Sequence, residues 1–307
     1  MSDTKDQDIV DFPMPEDNIV QTFQLEISSL RGRVLKLGSI LDDILIPHNY
    51  PAPIDRLTGE VAVLALLLSS ILKYEGIFTL QVQGDGPLSM LVADVDSDLN
   101  VRACAHYKAD EFAKLKSPEK ATLTELFGKG YIAFTVDQGS HMERYQGIVG
   151  LDGETLEDSI AHYFQQSEQL QTQLHMTVAK KRGTWRAGGI MLQRMPLDAK
   201  VVQEEIRERV DEDWSRAKML LDTVKPEELL DPKLHENTLL MRLFHEEGVR
   251  VYSPKPVTKG CRCSIEKLEG VLQTLPQDDI EHITVDGKIE VICEFCSKTF
   301  SLDPPQK

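Results

Sequence analysis

The sequence predicts an α+β protein. A mostly antiparallel sheet with packed helices occupies the first 195 residues, followed by a charged helical linker and a small C-terminal module. Three observations predict this. Up to Gln193, apolar residues recur in short alternating runs separated by turn residues, with a few helical stretches between them. From Pro196 the chain becomes dense in charge, with a single apolar stripe at helical spacing. Four of the 5 cysteines then stand close to the C-terminus, as Cys261-Arg262-Cys263 and Cys293-Glu294-Phe295-Cys296.

Length and charge narrow the classes. A chain of 307 residues allows about two domains at roughly 100–200 residues each. The formal net charge of −16 repels phosphate backbones, so nucleic acid is not an expected partner. Residues 1–18 lack the basic start and apolar core of a secretory signal. The longest apolar run, Val61 to Leu68, is far shorter than the roughly 20 residues needed to cross a bilayer. A cytoplasmic protein without membrane contact is therefore expected. Thiols there are held reduced, which favours metal ligation or redox sensing over structural disulfides.

Each element has its own signal. Residues 1–17 are polar and acidic, with Pro13 and Pro15, and read as a flexible tail. Ile19, Gln21, Phe23, Leu25 and Ile27 alternate as in a strand. Val34, Leu37, Leu41 and Leu45 recur at helical spacing up to Pro47. A long helix over 54–73 is apolar on most of its surface and is expected to be buried. Strands follow at Ile77–Val82, Leu88–Val95 and Val101–Tyr107, with turns at Gly84-Asp85-Gly86-Pro87 and Asp96-Ser97-Asp98. A small helix is predicted at Asp110–Leu115 and a hairpin at Tyr131–Val136 and Tyr145–Val149. Thr155 is placed to cap a helix running to about Leu170, and Leu174–Lys181 and Gly188–Gln193 complete a core domain over 18–195.

In the linker, residues 196–253, one helical stripe joins Val202, Ile206, Val210, Trp214, Ala217 and Leu221. A second amphipathic helix is predicted over Asn237–Glu247, with Asn237 as its cap and Gly248 as its stop. This segment cannot bury enough surface alone, and the core domain is the expected partner for its stripe. Pro254 and Pro256 introduce the final module, 254–307. It is thin in apolar residues and near the size at which metals or disulfides become necessary.

The cysteine spacing suits zinc. A tetrahedral site holds sulfur at about 2.3 Å from the metal. Cys293 and Cys296 can reach one ion from a tight turn. Side chains two residues apart on an extended strand stand roughly 6.6 Å apart, so Cys261 and Cys263 must sit in a bend, which Gly260 accommodates. A helix from Ser264 or Glu266 to Leu275 and a hairpin around Asp286-Gly287 would bring the two pairs together. One Zn2+ on Cys261, Cys263, Cys293 and Cys296 follows, making the module a zinc-binding, redox-switch candidate. Two other readings remain open at this point: a purely structural zinc staple on a constitutive binding protein, and a thiol-disulfide oxidoreductase. The second needs a βαβ context, and no long helix follows the strand-like Lys288–Ile292. Lys259 and Arg262 flank Cys261 and would favour its thiolate. A disulfide closed over one intervening residue is expected to be strained and readily reduced, the regulatory kind.

With these residues in view, the chain resembles a known family, the redox-regulated 33-kDa heat-shock holdases of bacteria. The two cysteine pairs, separated by 29 residues, carry the resemblance. So do Gly84-Asp85-Gly86-Pro87 with Leu91–Asp94 and Arg102-Ala103, and Gly128-Lys129-Gly130-Tyr131 with Asp137-Gln138-Gly139. Glu143-Arg144-Tyr145-Gln146-Gly147-Ile148-Val149, Tyr163-Phe164, Ser167-Glu168-Gln169-Leu170, Gly188-Gly189-Ile190 and Phe244-His245-Glu246 extend it over nearly the whole chain. Arg262 departs from the pattern, since a small or acidic residue is more familiar there. The resemblance implies an ATP-independent chaperone that binds unfolding proteins under oxidative stress. It implies a reduced, zinc-bound, inactive state. Oxidation to the disulfides Cys261–Cys263 and Cys293–Cys296 would release zinc, unfold the module and loosen the linker. It further implies a homodimer when oxidised and hand-off of clients to ATP-dependent chaperones.

Other residues read plainly. Cys104 lies in a predicted strand and is expected to be buried. The Gly84–Pro87 turn lacks the Lys-Ser/Thr of a phosphate loop. His141, His162, His175 and His245 show no metal spacing, and His282 is superfluous beside four thiolates. Ser140 and Ser167 have no nucleophile context. No constellation supports catalysis, and an enzyme is not expected.

Overall fold

A computed structural model of the chain describes residues 17–28, 30–138, 145–195 and 204–305. Strands β1 (Ile19–Leu25) and β2 (Leu30–Leu37) are followed by helices α1 (Ser39–Leu45) and α2 (Ala52–Ser69). Next come β3 (Ile77–Gly84), β4 (Leu88–Asp96) and β5 (Asn100–Tyr107), then short helices α3 (Ala109–Phe112) and α4 (Leu123–Phe127). Strands β6 (Gly130–Asp137) and β7 (Tyr145–Gly150), helix α5 (Leu156–Ser167), and strands β8 (Thr172–Lys181) and β9 (Thr184–Arg194) complete this part. Helices α6 (Glu204–Leu221), α7 (Pro226–Leu230) and α8 (Glu236–Phe244) lead to three short strands, β10 (Val249–Val251), β11 (Lys255–Pro256) and β12 (Thr258–Lys259). The C-terminal part holds α9 (Ile265–Thr274), α10 (Gln277–Ile283), β13 (Thr284–Val285), β14 (Lys288–Ile292) and β15 (Thr299–Leu302).

The strands form two six-stranded sheets and one three-stranded sheet, where the sequence predicts a single sheet. The first runs β10-β1-β2-β9-β8, with β11 also on β1. The second runs β12-β5-β4-β3-β6-β7, and the third β13-β14-β15. Among the described residues, only β12 on β5 is parallel. Helix α2 lies between the two large sheets. Its residues Ile54, Val61, Leu64 and Leu67 are fully buried in the main core, as the all-round apolar sequence predicts. Helix α5 starts at Thr155, whose hydroxyl accepts from the Asp158 N–H while the Asp158 carboxylate accepts from the Thr155 N–H.

Three local readings change. The helical spacing of Val34, Leu37, Leu41 and Leu45 spans two elements, because β2 carries the first two and α1 the last two. Ile27 lies beyond β1 and is 54% exposed. The helix predicted from Asn237 begins at Glu236, with His235 as its cap: the Asn237 N–H donates to His235 Nδ1 at 3.1 Å. The acidic tail up to Glu16, the start of the predicted linker helix with Val202, and Ser140 and His141 lie outside the described residues.

The linker stripe finds the partner expected of it. Trp214, Ala217 and Leu221 of α6, Leu229 of α7, and Leu239, Leu240, Leu243 and Phe244 of α8 bury against the outer face of the first sheet. That face presents Phe23, Leu25, Leu30, Val34, Ile190 and Leu192. Each buried Leu, Ile, Val or Phe of this interface stabilises the docked state by about 1.5–3 kcal/mol. The approach is closest at Gly188, where a Cβ would stand 2.3 Å from the Leu229 carbonyl oxygen. Only glycine lets α7 lie directly on β9.

A buried cation holds the same segment. Lys36 is 2% exposed, and its ammonium donates to the carbonyl oxygens of Asp231, at 2.7 Å, and of Leu234. Burial lowers its pKa, partly offset by Glu236 and Asp17. Lys36→Met leaves two carbonyls without a donor, at about 1–3 kcal/mol. The expected result is a roughly 10- to 100-fold loss of amide-exchange protection over residues 226–235, with α2 unchanged. Unchanged protection in that segment would show that the linker does not depend on this contact.

Candidate metal centre

The C-terminal part has a small core of its own: five buried side chains, Leu272, Ile280, Ile289, Phe300 and Leu302. Cys263 and Cys293 pack against it. So few apolar groups are below what a domain of this size needs to fold without a further constraint.

That constraint has an obvious location. The Sγ atoms of Cys261, Cys263, Cys293 and Cys296 all lie within 4.8 Å of one another. Cys261 and Cys263 are separated by 3.3 Å, Cys261 and Cys293 by 3.6 Å, and Cys263 and Cys296 by 3.6 Å. None of these sulfurs is bonded to another. A tetrahedron with sulfur at about 2.3 Å from its centre has edges of about 3.8 Å, close to these separations. All four donors are soft sulfurs and none is an oxygen, which fits zinc. The four cysteines can therefore hold a metal ion.

Local backbone places each sulfur. The Cys293 N–H donates to the Lys298 carbonyl at 2.9 Å, and the Ser297 N–H to the Cys293 carbonyl at 2.8 Å. Ser297 has a left-handed φ of 55°. This is the tight turn expected of the second pair. The first pair follows Gly260, whose N–H donates to the Val101 carbonyl at 2.9 Å. A Cβ on Gly260 would meet the Asn100 side chain at 2.4 Å, so close approach to β5 calls for glycine there. Immediately after Cys263, Ser264 caps α9 by accepting from the Lys267 N–H at 3.3 Å.

The thiols do not titrate alike. Burial raises Cys263 to about 12, helped by the neighbouring thiols. Burial acts on Cys261 in the same sense, but the Cys263 backbone and the other three sulfurs outweigh it and bring Cys261 down to about 7. Cys296 is raised, again mainly by burial. A cation among the four sulfurs would stabilise them as thiolates. Lys259 and Arg262 do not contribute as the sequence suggests. The Lys259 ammonium donates to the Asp43 carbonyl at 2.6 Å, and Arg262 reaches Asp94.

These contacts reveal a docking surface that sequence reasoning missed. Asp94 on β4, 6% exposed, accepts from Thr79 at 2.7 Å, Arg102 at 2.6 and 2.9 Å, and Arg262 at 2.5 Å. The Arg102 guanidinium also lies 3.8 Å above the Phe295 ring, between the second pair of cysteines. Ser297 Oγ shares a 3.2 Å hydrogen bond with His48 Nδ1, and His106 meets Glu294 at 3.3 Å. Asp94 and Arg102 are direct partners across the β4–β5 hairpin. A carboxylate amid the apolar run 91–95 was the available signal. Arg262→Ala is expected to loosen the module by about 1–3 kcal/mol. Asp94→Ala should cost more, about 3–5 kcal/mol, because it strands two guanidinium groups. Proteolysis between residues 254 and 264 measures both, and equal rates in the two variants would contradict this ranking.

Cys104 is 1% exposed on β5 and its thiol is pushed up to about 12 by burial, so it stands apart from the cluster chemically, as expected. His175 pairs with Asp222 at 2.8 Å, and the described residues bring no His to the cysteines as a fifth ligand. No helix among the described residues is long and apolar enough to cross a membrane.

Comparison with known proteins now adds to this geometry. The profile of a family described as "Hsp33 protein" matches residues 18–303. A 33 kDa chaperonin of Caulobacter vibrioides is 38% identical over 295 residues, covering 94% of this chain and 96% of the relative. One from Escherichia coli is 36% identical over 288 residues, covering 94% and 92%. The crystal structure of the 33 kDa chaperonin of Thermotoga maritima superposes with a TM-score of 0.73 at 19% identity, over 94% of this chain and 95% of that one, a likeness of fold.

Proposed function

The chain belongs to the Hsp33 family of heat-shock chaperones, and from that membership we propose a redox-regulated, ATP-independent holdase whose latch is the cysteine cluster. The observation that carries this reading is the convergence of four free sulfurs in a module whose own core has, among the described residues, five buried apolar side chains. Its parts are a core over 18–195, a linker over 196–253 and a switch module over 254–307, preceded by the acidic tail.

In the reduced state Cys261, Cys263, Cys293 and Cys296 would hold Zn2+. Bound there, the ion neutralises the thiolates and cross-links the two cysteine-bearing turns, worth on the order of 10–16 kcal/mol in small finger-like modules. Whole domains are stable by about 5–15 kcal/mol, so the module depends on that link. An oxidant of the peroxide class would take two electrons from each thiolate pair, forming Cys261–Cys263 and Cys293–Cys296, while each peroxide takes up two protons from solvent and becomes two waters. Disulfide sulfurs are poor ligands, and the cross-link is lost. The module then loses its fold, and its hold on Asp94 and on β5 goes with it.

The linker is attached directly to that module through residues 249–260. Once loosened, it exposes its own stripe and the sheet face of Phe23, Leu25, Leu30, Val34, Ile190 and Leu192. Both are apolar and suit unfolding clients, with a homodimer as the oxidised form. Reduction closes the latch and passes clients to ATP-dependent chaperones. The cytoplasm, with its reducing poise, is the compartment in which such a switch has meaning.

The test reads zinc release with a chromogenic chelator beside light scattering from a denatured client. Reduced protein is expected to carry one zinc and leave aggregation unchecked. Peroxide with mild heat should release the ion and switch suppression on. Equal suppression in both states would replace this reading with a constitutive binding protein carrying a structural zinc.

A further inference from the structure

A groove of about 540 Å³ opens where α2 ends, between β1–β2 and the crossing at residues 252–255. Arg31 and Arg33 of β2, Lys73 beyond α2, and Lys255 at the start of β11 line it, and no Asp or Glu does. This runs against the composition, in which acidic residues outnumber basic ones 50 to 34. It also runs against the habit of the fold. Eight other arginines, such as Arg56, Arg102 and Arg216, are paired with carboxylates. Among the described residues, none of the four cations in the groove has such a partner.

One of them has a structural task. Arg33 donates to the Ser70 carbonyl at the end of α2, at 3.4 Å from both Nε and Nη2, and to the Gly32 carbonyl at 3.0 Å. Carbonyl capping accounts for Arg33, but not for Arg31 two residues away on the same strand face, nor for Lys73 and Lys255. Burial and the neighbouring Arg31 both lower the pKa of Arg33, which means that the pair is held together at a cost. Two arginines and two lysines lining one groove, with Tyr252 and Ser253 beside them, match the recognition of a phosphate group. The volume is that of a small-molecule site.

We propose that this groove binds a small phosphate-bearing molecule, held between the core (Arg31, Arg33, Lys73) and the segment that leads into the switch module (Lys255). Such a ligand needs both walls. Lys255 is part of the crossing that pairs with β1, Lys255 facing Val20, so the site exists only while that segment is docked. Binding to the closed form alone stabilises it by mass action, about 100-fold when the ligand is at 100 times its Kd. This regulatory half rests on the proposed latch. The binding half does not.

Inorganic pyrophosphate is the probe. It is titrated calorimetrically into reduced, zinc-loaded full-length protein, with sodium chloride adjusted to constant ionic strength. Saturable binding at one site per chain is expected, weakened at least about 10-fold in both Arg31→Ser and Lys255→Ser. Both side chains are exposed, and unchanged zinc content and circular dichroism verify that the variants fold. Absence of saturable binding, or equal binding in wild type and both variants, overturns the site. Binding that is lost in the variants yet leaves cleavage of residues 249–260 equally fast with and without pyrophosphate overturns the regulatory half. None of these readouts uses a client, so failure of the holdase assay is seen separately.

Discussion

Gly188→Val is expected to free the linker from the reduced, zinc-loaded protein and to give aggregation suppression without oxidant. The reason is the 2.3 Å approach of the Leu229 carbonyl to the place a Cβ would occupy. A backbone atom cannot rotate away as a side chain can. Accommodating the new methyls moves α7 as a unit, an overpacking cost of about 1–3 kcal/mol. The population of undocked linker then rises roughly 10- to 100-fold. Leu229→Ala approaches the same state from the other side. Leu229 is 3% exposed, its loss costs about 2–5 kcal/mol, and the sheet is untouched. Faster proteolysis of residues 204–248 in both variants, with zinc retained, is the expected result. If both open the linker and neither suppresses aggregation, linker release is not the activity.

Cys293→Ser is expected to weaken metal binding by about 10²–10³-fold, roughly one quarter of the free energy of a four-thiolate site. Competition with a chelator of known affinity measures it. The structural consequence should stay local at first. Amide protection is lost over 261–302, which rests on five buried side chains, while the main core around α2 keeps its protection. Cys104→Ser, in contrast, leaves metal affinity unchanged, because this thiol is buried on β5. Retention of full affinity in Cys293→Ser would remove the cluster as the metal site.

How much of this was visible beforehand depended on the range of the interaction. Thr155 is legible as a cap, and Ser264 as one of two candidate helix starts, because a helix N-terminus is a matter of three residues. Helix α2 was legible because it is apolar on every side. Val34 and Leu37 read as helical because a strand followed closely by a helix can present a 3.6-residue spacing by accident. The division into two sheets was not legible. It rests on pairings such as Val34 with Ile190 and Leu80 with Phe134, and local sequence does not encode distant register. Strands β10 to β12 have only two or three residues each, and Pro254 and Pro256 argue against strand. Pro256 is tolerated on an edge, opposite Ile19, where its missing N–H is not needed. The four cysteines stood out by residue type and spacing, whereas their anchor at Asp94 depends on a hairpin register.

The three edge strands before Cys261 also determine how opening proceeds mechanically. Their backbone bonds form a series: Gly260 to Val101, Thr258 to Leu99, Val257 to Asn18, Tyr252 to Thr22, and Glu26 to Gly248. A strand loaded at one end peels, breaking one bond at a time at about 0.5–1.5 kcal/mol each, and is not sheared with all of them at once. Under the proposed latch, the tug of an unfolded module would arrive at the Gly260 end. Val257, 3% exposed in the main core, is the one stiff tooth along the way. Under the proposed latch, opening would therefore travel from the sulfurs toward α8 in a fixed order, and closing would retrace it like a zip whose slider is the glycine beside Cys261.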